Sequence, residues 1–328
     1  MAEGKVLVTG SSGHLGEALV RTFRAQGREV LGLDVVESPF TCRVGSITDR
    51  AAVKDCVHGA ESVLHTATLH KPHVGSHDRQ AFLETNVIGT TILLEEAVAA
   101  GVTRFVFTST TSAFGKALVP SSGSPAAWIT EDVAPVPRNI YGVTKTAAED
   151  LCELVARDQS LPVVVLRTSR FFSEMDDNTE ITSTFADENI KANEYLYRRV
   201  DIEDVVSAHL LAEDRAPALG FAKYIISATS PFAREDAAEL VRDAPAVVRR
   251  LFHDQAAEYA RRGWEMFPRI DRVYDNTRAR SELGWVPNYD FRCVLDHLRS
   301  DQDPRSSLAR TIGAKVYHEV TTGPYTVR

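Results

Sequence analysis

Tyr141 and Lys145 stand four residues apart in Y-G-V-T-K, a spacing that places both on one face of a helix. A phenol beside an ammonium makes a usable general base, because the positive charge stabilises the phenolate and pulls its pKa towards neutral. Upstream, T-S-T-T-S-A-F-G (Thr108 to Gly115) gathers hydroxyls at the end of the apolar run R-F-V-F-T-S. From there Thr110 can hydrogen-bond the same substrate oxygen as Tyr141. The chemistry expected is proton transfer to Tyr141 while hydride leaves the adjacent carbon, turning a secondary alcohol into a ketone, or the reverse. A Tyr–Lys pair alone is common by chance. Its weight here comes from following Thr110 and, further upstream, a glycine-rich turn.

That turn, T-G-S-S-G-H-L-G (Thr9 to Gly16), lies between the strand-like K-V-L-V-T and a helical pattern running from Leu15 to Gln26. Gly10 permits the tight turn, Gly13 lets backbone approach a pyrophosphate, and Gly16 allows close packing of helix on strand. The helix N-terminus then presents free N–H groups to phosphate. Ser12, His14 and Leu15 complete the expected contact stretch. Asp34 ends the second strand at the distance usual for a carboxylate that accepts from ribose hydroxyls and repels a 2′-phosphate. Val35 and Val36 follow it instead of Arg, which favours NAD over NADP.

The elements that must position these groups alternate. After the first strand and helix come E-V-L-G-L-D, S-V-L-H-T, a long helix with Ile88, Thr91, Ile92, Glu95 and Val98 in register up to Gly101, then R-F-V-F-T-S and Val163 to Arg167. Ile202 to Ala212 reads as a helix and K-Y-I-I-S-A as a late strand, whereas the polar, acidic Ser173 to Glu194 reads as loop or lid. Strand following helix with short turns predicts an α/β fold, a doubly wound, mostly parallel sheet. Residues 1–170 would form the nucleotide-binding domain and 171–328 mainly a smaller substrate-binding domain, with about 196–228 returning to the first core. The 328 residues are 44% hydrophobic and 25% charged, with a net charge of −8, typical of a soluble globular protein. That charge, and the lack of a basic run, argues against nucleic acid as partner. No apolar run is long enough to span a bilayer, and no signal-peptide core is present, so a cytoplasmic location is expected. Cys42, Cys56, Cys152 and Cys293 are widely spaced and are read as reduced, packed thiols.

Taken together, Gly10-x-x-Gly13-x-x-Gly16, the Asn86-Val-Ile-Gly-Thr stretch, the hydroxyl-rich strand end and Tyr141-x-x-x-Lys145 resemble the extended short-chain dehydrogenase/reductase family. The narrower likeness is to its NAD-dependent epimerase/dehydratase branch, which acts on sugars and sugar nucleotides. The likeness covers nearly the first 170 residues and resumes in V-D-I-E-D-V-V-S-A-H and R-A-R-S-E-L-G-W. It implies a Rossmann fold with NAD and a catalytic set of Thr110, Tyr141 and Lys145. It also implies cofactor contacts at Ser46, Ile47, Thr66, Ala67, Thr68, His70, Thr108, Thr168 and Ser169, and at Tyr141 and Lys145 themselves, with Asn86 steadying the strand ends near the cofactor. A homodimer through the helices after Phe82 and Tyr141 follows from the same likeness.

Departures from the pattern narrow the chemistry. Dehydratases of this branch carry an acidic pair after the catalytic hydroxyl. Here Thr111 and Ser112 stand there, and neither is a strong acid or base near neutrality. Dehydration is disfavoured, leaving epimerisation or net oxidation and reduction. Arg170 replaces an Asn that often contacts a sugar nucleotide, and the usual phosphate-binding Arg is displaced, with Arg198 and Arg199 beside its place. Arg170, Arg199 and Arg272, with His73, Thr111 and Ser112, are the candidate substrate contacts, and a small sugar acid or phosphorylated sugar is an alternative substrate. His65, His70, His73 and His77 invite a metal reading, but no carboxylate or Cys completes the ligand spacing, so no metal is expected. An NAD-binding regulator that has lost catalysis is the non-enzyme alternative.

Overall fold

The computed structural model describes residues 4–176 and 178–315. Nine strands are formed by the described residues: β1 (Lys5–Thr9), β2 (Val30–Asp34), β3 (Arg43–Val44), β4 (Ala60–His65), β5 (Arg104–Thr110), β6 (Ala127–Ile129), β7 (Val163–Thr168), β8 (Phe221–Ile226) and β9 (Arg272–Tyr274). Seven form one sheet in the order β3-β2-β1-β4-β5-β7-β8, every pair parallel. β6 and β9 pair separately. The helices run α1 (His14–Ala25), α2 (Arg50–Val57), α3 (Arg79–Leu83), α4 (Gly89–Ala99), α5 (Ile140–Gln159) and α6 (Thr179–Thr184). They continue with α7 (Asp187–Glu194), α8 (Ile202–Leu219), α9 (Ala237–Leu251), α10 (Gln255–Arg262), α11 (Phe291–Arg299) and α12 (Ser307–Ile312). No helix of the described residues is long and apolar enough to cross a membrane.

A parallel sheet buried on both faces needs strands that are apolar on both sides. β1 meets that condition. Val6 and Val8 join a cluster with Leu19, Phe23, Val205 and Ala212 of α1 and α8, while Leu7 joins another with Val53, Leu93, Cys152 and Val155 of α2, α4 and α5. A separate cluster packs α7, α9, α10 and α11 through Ile190, Leu240, Val247, Tyr259, Phe291 and Leu295.

Two expectations need revision. Ser173 to Glu194 is not an open loop, since α6 and α7 lie within it and Asn189, Ile190, Ala192, Asn193 and Glu194 are buried. Its acidity is used internally. Asp187 and Glu188 sit in the first turn of α7, where the helix end favours negative charge, and Glu194 meets three arginines. Asp177, within this stretch, lies outside the described residues. The long helix before Gly101 is also interrupted, by a π-helical turn over Glu84–Ile88 that carries Asn86. Such turns often mark functional positions.

Two buried histidines tie strand ends to helices, and their partners set their protons. The Thr90 hydroxyl donates to Asn86 O, so it accepts from His65 Nε2–H (2.9 Å), and His65 Nδ1 accepts from Thr9 (2.8 Å). His209 Nδ1–H donates to Val205 O (2.7 Å), so Nε2 accepts from Thr108 (2.8 Å). Burial pushes His65 down to about 3, helped by Lys145, and His209 down to about 4. Between these values and the 6.5 of an unfolded imidazole, the unfolded chain binds more protons than the folded one. Stability is therefore full above that window and is lost as pH falls through it, by roughly 3 kcal/mol for His209. Denaturation midpoints measured from pH 7.5 to 4.5 should show His209→Asn less stable at pH 7.5 but with a shallower acid decline than the parent. An unchanged slope would refute the neutral, buried His209.

Candidate active site

A cavity of about 970 Å³ opens at the C-terminal ends of the strands. It sits where the strand order reverses between β1 and β4, the usual ligand crevice of an open parallel sheet. Its floor at one end is the turn after β1. Gly10 has φ +71°, and a Cβ there would stand 2.7 Å from Ala67 N. A Cβ on Gly16 would stand 1.9 Å from Gly10 O, so helix α1 approaches the turn as only glycine allows. Gly13 caps α1 with no side-chain hydrogen bond, leaving the first-turn N–H groups without a capping side chain. Against this turn, Asp34 accepts from Ser12 N and Val36 N, both at 2.9 Å, and lines the cavity beside Ser46 and Ile47. A bare glycine cradle facing a carboxylate fits the pyrophosphate and ribose of NAD.

The middle wall is the end of β4 with the segment after it. Thr66, Ala67, Thr68 and His70 line the cavity. The Asn86 side chain makes a two-way amide pair with Leu69, accepting from its N–H and donating to its carbonyl, each at 2.8 Å. Asn86 also accepts from Thr68 and donates to Thr144 Oγ1 of α5, both at 3.0 Å. One side chain thereby fixes the strand end to the helix that carries Tyr141. Asn86 itself is off the cavity surface, which makes it a positioning residue.

Opposite, the hydroxyl-rich end of β5 meets the start of α5. Asn139 caps α5 by accepting from Gly142 N at 3.0 Å, and Thr110 caps the following turn by accepting from Ser112 N at 3.1 Å. Thr110 and Tyr141 both line the cavity, and each is 8% exposed. Thr108, Ser109, Thr111, Ser112, Thr168 and Ser169 share this wall. Lys145 is buried behind it with Nζ 4.0 Å from the Phe107 ring centroid. The expected lowering of the Tyr141 phenol by Lys145 is absent. Burial pushes Tyr141 up to about 12, partly opposed by the Thr110 hydroxyl, and pushes Lys145 down to about 7, opposed by Glu149. A lysine held near neutrality in an apolar wall gives the phenol little charge to lean on. Glu149 is the carboxylate that holds Lys145's remaining charge, and it is itself held by Ser109 and by a bidentate pair with Arg167 (2.7 and 3.1 Å). Sequence reasoning missed this trio, although Glu149 falls one helical turn beyond Lys145 on the same face.

At the far end the cavity is lined by Arg170, Arg198, Arg272, Asp176, Asp271 and Tyr274. Arg170 pairs with Asp176 and Glu194, and Arg198 bonds Asp176 at 2.9 Å and Glu194 at 2.6 Å. Arg199 does not reach the cavity. It is 5% exposed and spends its guanidinium on Glu194 and Phe172 O, each at 2.9 Å. Arg199 bridges Arg170 in parallel fashion, and side chains alternate along such extended chain, so Arg198 takes the cavity side. His14 is likewise turned away, 2.9 Å from Glu174 and edge-on to Phe172. His73 lines the cavity, and its Nδ1 accepts from His70 N at 2.9 Å.

Comparison with known proteins agrees with this geometry. The chain resembles a short-chain dehydrogenase/reductase superfamily protein from Agrobacterium tumefaciens solved with bound NAD, at 26% identity and a TM-score of 0.64, over 94% of this chain and 99% of that one. Among curated relatives, sterol demethylase protein B of Methylococcus capsulatus is 31% identical over 64% of this chain and 66% of its own length. UDP-glucose 4-epimerase of Streptomyces lividans is 26% identical over 89% and 94%. The chain spans 32–66% of the length of the first curated relatives it matches. Residues 6–218, more than half of the chain, match the model of one family. The chain belongs to the NAD dependent epimerase/dehydratase family, NAD-dependent enzymes on the Rossmann fold of the short-chain dehydrogenases/reductases.

Proposed function

We propose that this enzyme oxidises and reduces a secondary hydroxyl of a sugar or sugar nucleotide through a keto species, with Tyr141 as the base. The observation that carries the reading is that Thr110 and Tyr141 line one cavity whose other end is the glycine cradle. NAD would supply the hydride acceptor. Two hydroxyls on one cavity wall can both turn to one substrate oxygen, Thr110 orienting it and Tyr141 taking its proton. Lys145, balanced near neutrality by burial against Glu149, would support the phenolate in its charged form. Thr111 and Ser112 line the same wall without a carboxylate, which argues against water loss from the neighbouring carbon. Asp34 would take the ribose hydroxyls. Leu83, Ile88, Val143 and Leu154, exposed on or beside α3 and on α5, support a homodimer through those helices.

Replacing Tyr141 with Phe should cut turnover on a substrate found by screening sugars by about 10²–10⁴-fold, with NAD affinity little changed. Near-normal turnover would remove Tyr141 from the base role. In the parent enzyme, stoichiometric NADH absorbance marks net oxidation, and product formation without it marks epimerisation. Titration should show NAD bound more tightly than NADP, and Asp34→Asn should weaken NAD by about tenfold through loss of charge-assisted hydrogen bonds. Tighter NADP binding in the parent would sink the role of Asp34.

A further inference from the structure

We infer that Lys315, in the chain just past α12, is a positioning residue of the NAD cradle, joining the glycine turn to the Ser173–Glu174 segment in a clasp that holds the diphosphate end of the cofactor. Its Nζ donates to the carbonyl of Ser12, between Gly10 and Gly13, at 2.7 Å, and to Glu17 in the first turn of α1. Its backbone N–H donates to Glu174 at 2.8 Å, and the same carboxylate oxygen lies 2.9 Å from His14 Nε2. Two residues back, Gly313 O accepts from Ser173 Oγ at 2.7 Å, and Lys191 of α7 steadies that segment by donating to Ser173 O at 2.5 Å. Gly313 has φ +63° and ψ −158°, a conformation open almost to glycine alone, so the path from α12 to Lys315 is specified by that residue. α12 is itself fixed, because Ile312 is buried in the core cluster that holds Leu15 and Leu19 of α1. Ser12 lines the cavity and Lys315 does not, so the lysine acts through Ser12 and Glu17.

A carboxylate in the first turn of α1 suits the helix dipole but opposes a diphosphate seated at the same helix end. Glu17 is buried there, with Oε1 bonded by Arg21 Nε at 2.7 Å and Oε2 by Lys315, so two cations face one carboxylate and the trio is net positive. Without Lys315 the carboxylate rests on Arg21, a partly exposed partner that water screens. The lysine also orders the cradle. Its charge-assisted bond to Ser12 O fixes the Ser12–Gly13 peptide, whose N–H donates to Gly10 O at 3.1 Å. On the other side of the clasp, the Phe172 ring lines the cavity, packs edge-on to His14 at 5.5 Å and stacks with His70 at 5.9 Å. The segment that Lys315 pins therefore touches both chain segments that flank the crevice, one after β1 and one after β4. Contacts made only in the closed arrangement slow release more than they speed entry.

The fluorescence of bound NADH, followed while excess NAD displaces it, gives the release rate, and calorimetric titration gives the affinities for NAD and ADP-ribose. Both are read without substrate, so the outcome is independent of the Tyr141 chemistry. Lys315→Met should release NADH about tenfold faster and weaken NAD and ADP-ribose alike by about that factor, with the association rate little changed. Lys315→Arg, which keeps a cation beside Glu17, should recover most of the loss. Gly313→Ala, where a Cβ meets no neighbour but the backbone is strained, should act as Lys315→Met does. The melting midpoint of each cofactor-free variant reports its fold, and Gly313→Ala carries the test if Lys315→Met does not fold. Unchanged release from Lys315→Met, even with a lowered midpoint, would overturn the clasp and leave Lys315 a structural residue. A loss confined to NAD, with ADP-ribose unaffected, would also overturn it by moving the effect to the nicotinamide end. Release from Lys315→Arg as fast as from Lys315→Met would do the same.

Discussion

No Cβ fits between Gly16 and the carbonyl of Gly10, where one would lie 1.9 Å from the oxygen. That close approach brings the N-terminus of α1 to the tip of β1, at the point where the sheet changes direction. The rest of the site is laid out from there. β1 and β4 stop at one level, with Thr9, His65 and Phe107 in a row, whereas β5 and β7 run on past that level to end at Thr110 and Thr168, which face each other. Side chains that lock those ends to helices (His65 to Thr90, Asn86 to Leu69 and Thr144, His209 to Thr108) turn a row of strand tips into a rigid wall.

Charge is buried behind that wall in compensated groups. Glu149 is held by Arg167 and Ser109, and Glu194 by Arg170, Arg198 and Arg199, which keep its carboxyl well below the usual range. Burying a lone ion would cost several kcal/mol, and breaking one partner of such a group leaves that cost exposed. The consequence for chemistry is that burial of Lys145 and Tyr141 favours both neutral forms.

Much of this was legible in the sequence where one physical cause acts alone. Continuous apolar runs mark β1, β4, β5 and β7, helical spacing marks α1 and α8, and the glycines and Asp34 mark the cradle because geometry leaves few alternatives there. Legibility failed where causes compete. The acidic stretch 173–194 looks solvated, yet Asp176 and Glu194 are consumed by Arg170, Arg198 and Arg199, which lie just outside it and which the fold turns back onto them. β3 has two residues, and β6 and β9 three each, too few for a period to show. Which of Arg198 and Arg199 faces the cavity depends on a one-residue register set by a bridge to Arg170, and residue type carries no trace of it. Lys145 shares a helix face with Tyr141, as its spacing requires, but the Phe107 ring and burial decide its charge.

The proposed hydride transfer, between a carbon held at Thr110 and Tyr141 and a cofactor seated in the glycine cradle, would leave an isotopic trace. Single-turnover reaction of the enzyme with substrate deuterated at the carbon bearing the hydroxyl, followed by mass spectrometry of cofactor and product, reads that trace. Deuterium should appear on the reduced cofactor, or return to the same carbon of an epimerised product, with none lost to water. Loss of the label to solvent, with the cofactor unlabelled, would contradict hydride transfer at this site.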